Sequence, residues 1–149
     1  VPLIICVPNQ APGVCNSLVE LLDLYPTVAD LCGLKVPQRL QGKNIKSMLS
    51  NPEATVRESA FSVAPMRKGF LLRENKWAYI QYGEDAANGI ELYDMDLDPK
   101  QYNNLAADPA HTELINVFKA KMKLKMTQIR TNDLPTLKKQ KKRKKQSKP

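Results

Sequence analysis

Gly69-Phe-Leu-Leu-Arg-Glu-Asn-Lys-Trp-Ala-Tyr-Ile-Gln-Tyr82 decides how the middle of this chain folds. Two short runs, Gly69–Glu74 and Trp77–Tyr82, are rich in aromatic and β-favouring residues, and the tight connection Glu74-Asn-Lys76 joins them. Such runs, bounded by turn residues, read as strands of a hairpin. Working outward, Ser59–Val63 lies before them and Ile90–Asp94 after the turn-forming Ala86-Ala-Asn-Gly89. Four short strands in succession predict a small antiparallel meander. Asp108-Pro109 then opens a helix, with an N-cap residue followed by proline in its first position. Leu114, Phe118, Met122, Met126 and Ile129 form one apolar stripe at helical spacing, with lysines on the other side. This helix is expected to cover one face of the meander.

Upstream, Leu3–Val7 is a continuous apolar run between Pro2 and Pro8. It predicts a strand buried on both faces. Pro26 forbids a long helix through residues 17–32, because an interior proline removes a backbone bond and clashes with the preceding turn. Placing Asp23 at the N-cap puts Pro26 in the first turn. A helix over Leu24–Cys32 follows, with Leu24, Val28, Leu31 and Cys32 on one apolar face and Gly33 as its left-handed stop. A loop over Lys35–Lys43 leads to a short helix over Asn44–Ser50. The first strand reads as beginning at a cut end rather than at a signal peptide.

The 149 residues suit one domain. Their formal charge is +8, from 23 basic and 15 acidic residues. Eight of the basic residues fall between Lys138 and Pro149, where there is no acid, so the body carries 15 of each sign. The overall pI therefore gives no argument for a nucleic-acid-binding body, and the neutral body argues against one. Only the tail, residues 131–149, supports polyanion binding, and its composition predicts disorder. No apolar run reaches the roughly 18 residues of a membrane span.

Candidate chemistry is sparse. There is no GxSxG elbow and no phosphate-cradling glycine loop. His111 is the only histidine and reads as a surface residue. Asp94, Asp96 and Asp98 alternate as in part of a calcium loop, but the required glycine and distal glutamate are missing. They read as a strand end followed by an Asp98-Pro99 turn. Cys6, Cys15 and Cys32 have no metal-ligand spacing and read as buried or half-buried free thiols.

Two segments carry a family resemblance. The first is Asp23-Leu-Tyr-Pro-Thr-Val-Ala-Asp-Leu-Cys-Gly33, followed by Gln41-Gly-Lys-Asn-Ile45. The second is Glu91-Leu-Tyr-Asp-Met-Asp-Leu-Asp-Pro99, followed by Asn103-Asn-Leu-Ala-Ala-Asp-Pro109. In this order and separation, with Val1-Pro-Leu-Ile-Ile5 in front, they resemble the C-terminal part of a type I sulfatase of the alkaline phosphatase superfamily. The wording is nearest iduronate-2-sulfatase-like and bacterial polysaccharide sulfatases. The resemblance covers roughly the first 110 residues. It implies an α/β fold, α+β within this chain. Residues 1–52 would end the sulfatase α/β domain, and 53–130 would form an antiparallel-sheet subdomain with its helix.

The resemblance also implies a sulfuric ester hydrolase of sulfated carbohydrate, with calcium and formylglycine as cofactors and export to the periplasm or outside the cell. The family's nucleophile and calcium ligands would belong to an N-terminal sulfatase domain upstream of Val1, so the chain is expected to be inactive alone. Cys6-Val-Pro8-Asn-Gln10 copies two positions of the formylglycine motif Cys-x-Pro-Ser/Ala-Arg but lacks the small residue and the arginine. Cys6 is expected to be a core thiol. In some relatives, a basic residue at the start of the strand matching Gly69–Glu74 reaches toward the substrate. Arg67 and Lys68 occupy that place. A basic pair there could hold a sulfate or uronate by charge-assisted hydrogen bonds. Two readings from other classes stand beside this one, a basic-tailed nucleic-acid-binding module and an interaction domain.

Overall fold

The computed structural model describes residues 2–64 and 68–130. The lysine-rich tail and Arg67 lie outside the described residues. The chain folds as α1 (Leu24–Leu31), α2 (Ser47–Ser50), β1 (Ala60–Val63), β2 (Gly69–Arg73), β3 (Trp77–Tyr82), β4 (Ile90–Asp94) and α3 (Thr112–Ile129). The four strands form one antiparallel sheet in the order β1-β2-β3-β4. The meander expected from residues 59–94 is present, and α3 covers one face of it.

Register fixes which face α3 meets. Leu72 lies opposite Phe61 and Tyr79, and Tyr79 lies opposite Leu92. Side chains alternate along a strand, so Phe70, Leu72, Tyr79 and Leu92 share one face. They pack with Ile115, Phe118, Met122 and Met126 of α3 into the core. The Tyr79 ring stacks on Phe118, with centroids 5.4 Å apart and planes 10° from parallel. Burial pushes the Tyr79 hydroxyl up to about 12, so the phenol stays neutral inside this core. Leu114 and Ile129, the ends of the predicted stripe, are only half-buried. Arg73 closes the β2–β3 turn by donating to the carbonyls of Glu74, Asn75 and Trp77.

The helix start follows its sequence signal in modified form. Asp108 accepts from the Ala110 N–H at 2.9 Å, and Pro109–His111 makes one 3-10 turn before α3 begins. His111 departs from the surface reading. It is half-buried, with its ring edge against Trp77 at 5.8 Å.

Residues 2–52 correct several expectations. Leu3–Val7 forms no strand, and Ile4 is 89% exposed. A strand buried on both faces needs a neighbour on each side, and the described residues offer neither. Cys6 and Cys32 are exposed rather than buried, and only Cys15 is half-buried. The α1 face is also reversed. Val28 is 55% exposed, while Pro26, Thr27 and Ala29 are buried. The reason is the loop 41–45, which packs on that side. The Thr27 hydroxyl accepts from the Ile45 N–H at 3.0 Å and donates to the Asp23 carbonyl at 2.6 Å. Gly42 sits so close to Leu22 and Pro26 that a Cβ would overlap the Leu22 carbonyl. Gly33 supplies the left-handed stop at φ +69°.

Candidate functional site

Asp23 was expected as an N-cap, but its own backbone is helical and it caps nothing in α1. Instead its carboxylate is the hub of a buried cluster. Oδ2 accepts from the Glu20 N–H and Oδ1 from the Lys43 N–H, both at 2.7 Å. Arg57 donates to Oδ1 through one guanidinium nitrogen and pairs with Glu20 at 2.8 Å through the other. Glu20 in turn accepts from the Phe61 N–H at 2.8 Å, on the edge of β1, and meets Lys125 of α3 at 3.6 Å. The Asp23 side chain is fully buried, and those of Glu20 and Arg57 are nearly so. Buried charges are tolerated when paired and hydrogen-bonded. This cluster clamps residues 20–45 onto the sheet and α3. Sequence reading missed Glu20 and Arg57, because partners 34–41 residues apart leave no periodic signal.

The acids of the second motif are turn acceptors. Asp94 accepts from the Asp96 and Leu97 N–H groups at 3.0 and 3.2 Å, and Lys76 lies 3.3 Å away. Asp98 accepts from the Asn103 N–H at 2.8 Å. Asn104 accepts from the N–H groups of Leu92 and Ala106, lashing this turn to β4. With their oxygens aimed at backbone donors, these acids do not fit a calcium site. Cys6, exposed and outside any helix, does not fit a formylglycine either. No cluster of three or more metal-ligating side chains occurs among the described residues.

Burial pushes the Asp94 carboxyl up, but its two backbone donors and Lys76 outweigh this and hold it below its ordinary 3.8. Hydrogen bonds from Asn44 and then Lys46 hold Asp30 below the same value. A lowered carboxylate contributes stability that is present above its unfolded pKa and lost as pH falls through the folded one. Stability should therefore decline with acid below about pH 4. Denaturant midpoints measured across that range should fall less steeply in Asp94→Asn than in the parent.

Lys68 is exposed at the start of β2. Its carbonyl accepts from the Gly83 N–H at 3.1 Å, which places it beside the β3–β4 turn. The Ala64 N–H donates to the Gly69 carbonyl at 2.8 Å, where β1 and β2 meet. Nearby, on the face of the sheet away from α3, Glu91 receives the hydroxyls of Tyr82 and Tyr93, each at 2.9 Å. That contact, foremost for Tyr82, and burial, foremost for Tyr93, raise both phenols above 10. An open cleft of about 660 Å³ lies at the opposite end of the sheet, between residues 14–17, 52–58 and the Glu74–Trp77 turn. It is not continuous with Lys68.

Residues 1–131 match the family described as N-sulphoglucosamine sulphohydrolase, C-terminal. The chain belongs to the sulfatases, as their C-terminal region. Mouse arylsulfatase K is 31% identical over 120 residues, covering 72% of this chain and 22% of that protein. A Delta 4,5-hexuronate-2-O-sulfatase of Bacteroides thetaiotaomicron is 32% identical over 106 residues, covering 66% and 22%. The solved structure of a 2-O GAG sulfatase superposes with a TM-score of 0.61 at 27% identity, covering 71% of this chain and 24% of that one. The sulfatase C-terminal region thus spans about a fifth of the length of these curated relatives. Its four-stranded sheet and long helix are the sulfatase arrangement that the resemblance implied. The two motifs behind that resemblance are the Asp23–Ile45 clamp and the Asp94–Asn104 turn.

Proposed function

We propose that this chain is the C-terminal part of a sulfuric ester hydrolase acting on a sulfated carbohydrate. The observation that carries the reading is the match to enzymes named for arylsulfate and hexuronate-sulfate hydrolysis, together with an exposed lysine held at the mouth of the sheet. The nucleophile and cation belong to sequence that the relatives carry beyond the matched fifth, since Cys/Ser-x-Pro-x-Arg occurs nowhere in these 149 residues. That upstream domain is also the partner of the apolar surface on residues 2–34. Ile4, Val14, Leu21, Tyr25, Val28 and Leu34 are each more than half exposed. This concentration of exposed apolar side chains in one stretch of sequence supports an interaction there.

Arg67 and Lys68 bind the anionic saccharide and take no part in bond cleavage. A cation that contacts substrate equally in ground and transition states acts through KM. The 149-residue chain alone should therefore not turn over aryl or saccharide sulfates. With the upstream domain restored, Lys68→Ala and Arg67→Ala should each raise KM for a sulfated uronate-containing saccharide about tenfold. Neither should change kcat on a small aryl sulfate. Equal losses on both substrates, or none on either, remove these residues from the binding side. Residues 138–149 give a weak, salt-sensitive affinity for polyanions through counterion release. Deleting them should abolish heparin retention.

A further inference from the structure

Gln81 is anomalous in its setting. It is 2% exposed on the sheet face that otherwise carries Phe70, Leu72, Tyr79 and Leu92. Its cross-strand neighbours are Phe70 and Ile90. An apolar side chain would pack there without desolvating an amide, which is costly unless every polar atom finds a partner. The amide is satisfied, and in one direction. Nε2 donates to the carbonyls of Gly83 at 3.0 Å and Glu84 at 2.8 Å, while Oε1 accepts from the Tyr79 hydroxyl at 3.3 Å. Both amide hydrogens therefore hold successive peptides of the β3–β4 turn. The first of these residues, Gly83, donates its own N–H to the Lys68 carbonyl at 3.1 Å. At the far side of the same turn, Glu84 pairs with Arg130 at 2.5 Å, just beyond the end of α3.

We infer that Gln81 is a positioning residue for the substrate-binding Lys68, acting through Gly83 on the Lys68 backbone. This rests on the reading of Lys68 as a substrate-binding residue. The chain of contacts runs from the core phenol of Tyr79 through the Gln81 amide to the 83–84 peptides, and from Gly83 to Lys68. A fork of two donors onto adjacent carbonyls fixes the 83–84 and 84–85 peptides, and so anchors the C-terminal side of Gly83 while its N–H, in the preceding peptide, holds Lys68. Binding energy depends on holding a charged group close to its productive geometry. A lysine whose backbone is free to shift would still attract an anion but would not hold it in one place.

Gln81→Met keeps the volume and removes the hydrogen bonds. Gln81→Leu provides a second apolar variant should the first not fold. In the 149-residue chain, either should speed hydrogen exchange at the Gly83 amide about tenfold, the effect of losing roughly one net hydrogen bond. The Leu72 and Tyr79 amides should exchange as before. In the enzyme with the upstream domain restored, Gln81→Met should raise KM for the sulfated saccharide several-fold and leave kcat unchanged. The double variant Gln81→Met/Lys68→Ala should be no worse than Lys68→Ala, because two residues in one linkage are not additive. Unchanged exchange at Gly83, or fully additive KM effects, overturns the inference. Faster exchange at Gly83 with no KM effect from Lys68→Ala instead overturns the substrate role of Lys68, leaving Gln81 as a support of the turn alone.

Discussion

Arg57→Ala should destabilise the chain by about 3–5 kcal/mol, the cost of leaving buried carboxylates without their cation. Two carboxylates would lose this partner, Asp23, left with no cation, and Glu20, left with only Lys125 at 3.6 Å, with side-chain exposures of 0% and 7%. A simple buried ion pair can often be exchanged for apolar residues with little loss. That route is closed here, because the same carboxylates satisfy the N–H groups of Glu20, Lys43 and Phe61. Replacing all three charges with apolar residues would orphan those donors, so a Glu20/Asp23/Arg57 apolar triple variant should be no more stable than Arg57→Ala. Urea titration of both variants measures this. A triple variant at parental stability would show that the cluster contributes no net stabilisation.

Phe118→Ala should cost about 3–5 kcal/mol, as expected when a large buried ring is truncated. Phe118 is 1% exposed and stacks on Tyr79, itself fully buried. The cavity would open between α3 and the sheet, where side chains of both are already committed to rotamers that interdigitate. Phe118→Leu should recover more than half of the loss, because it refills most of the volume. Phe61 links the two sites, since its N–H holds Glu20 and its ring packs against the core, so the Arg57→Ala/Phe118→Ala pair tests their coupling, and additivity within about 0.5 kcal/mol would mean that they respond independently. Strong coupling between them would mean that clamp and core unfold as one packed unit.

The parts of this fold that sequence reading found are those whose signals are local. Trp77–Tyr82 and Ile90–Asp94 are strands at the predicted residues, because aromatic and branched side chains between turn residues specify a strand without distant help. α3 was legible from its stripe, which names three of the four α3 residues in the core. What failed depended on partners elsewhere. The run Leu3–Val7 is apolar enough for a strand, but a strand is a relation between chains of backbone, and periodicity cannot supply the neighbour. The buried side of α1 was misread because Thr27 and Pro26 are buried by a loop fifteen residues on, whereas Val28 meets none of it. In the candidate site, the position of Lys68 followed from the start of β2. Gln81 did not stand out, since one polar residue in an alternating strand reads as facing solvent.

The clamp formed by Glu20, Asp23 and Arg57 also sets an order of assembly. The sheet is built from consecutive hairpins, so each strand finds its partner across a short loop and little chain entropy is lost in closing it. The clamp joins residues 34 and 41 positions apart, and its donor on β1, the Phe61 N–H, points the right way only once β1 is paired. The meander and α3 are therefore expected to form first, with residues 17–45 docking on them afterwards. Unfolding under native conditions should run in reverse, with the docked segment released while the sheet persists. Under the proposal that this chain is the C-terminal part of a larger enzyme, this sequence of events is an advantage. It presents a finished sheet as a platform while the apolar segment, closed last, is still free to choose its final neighbours.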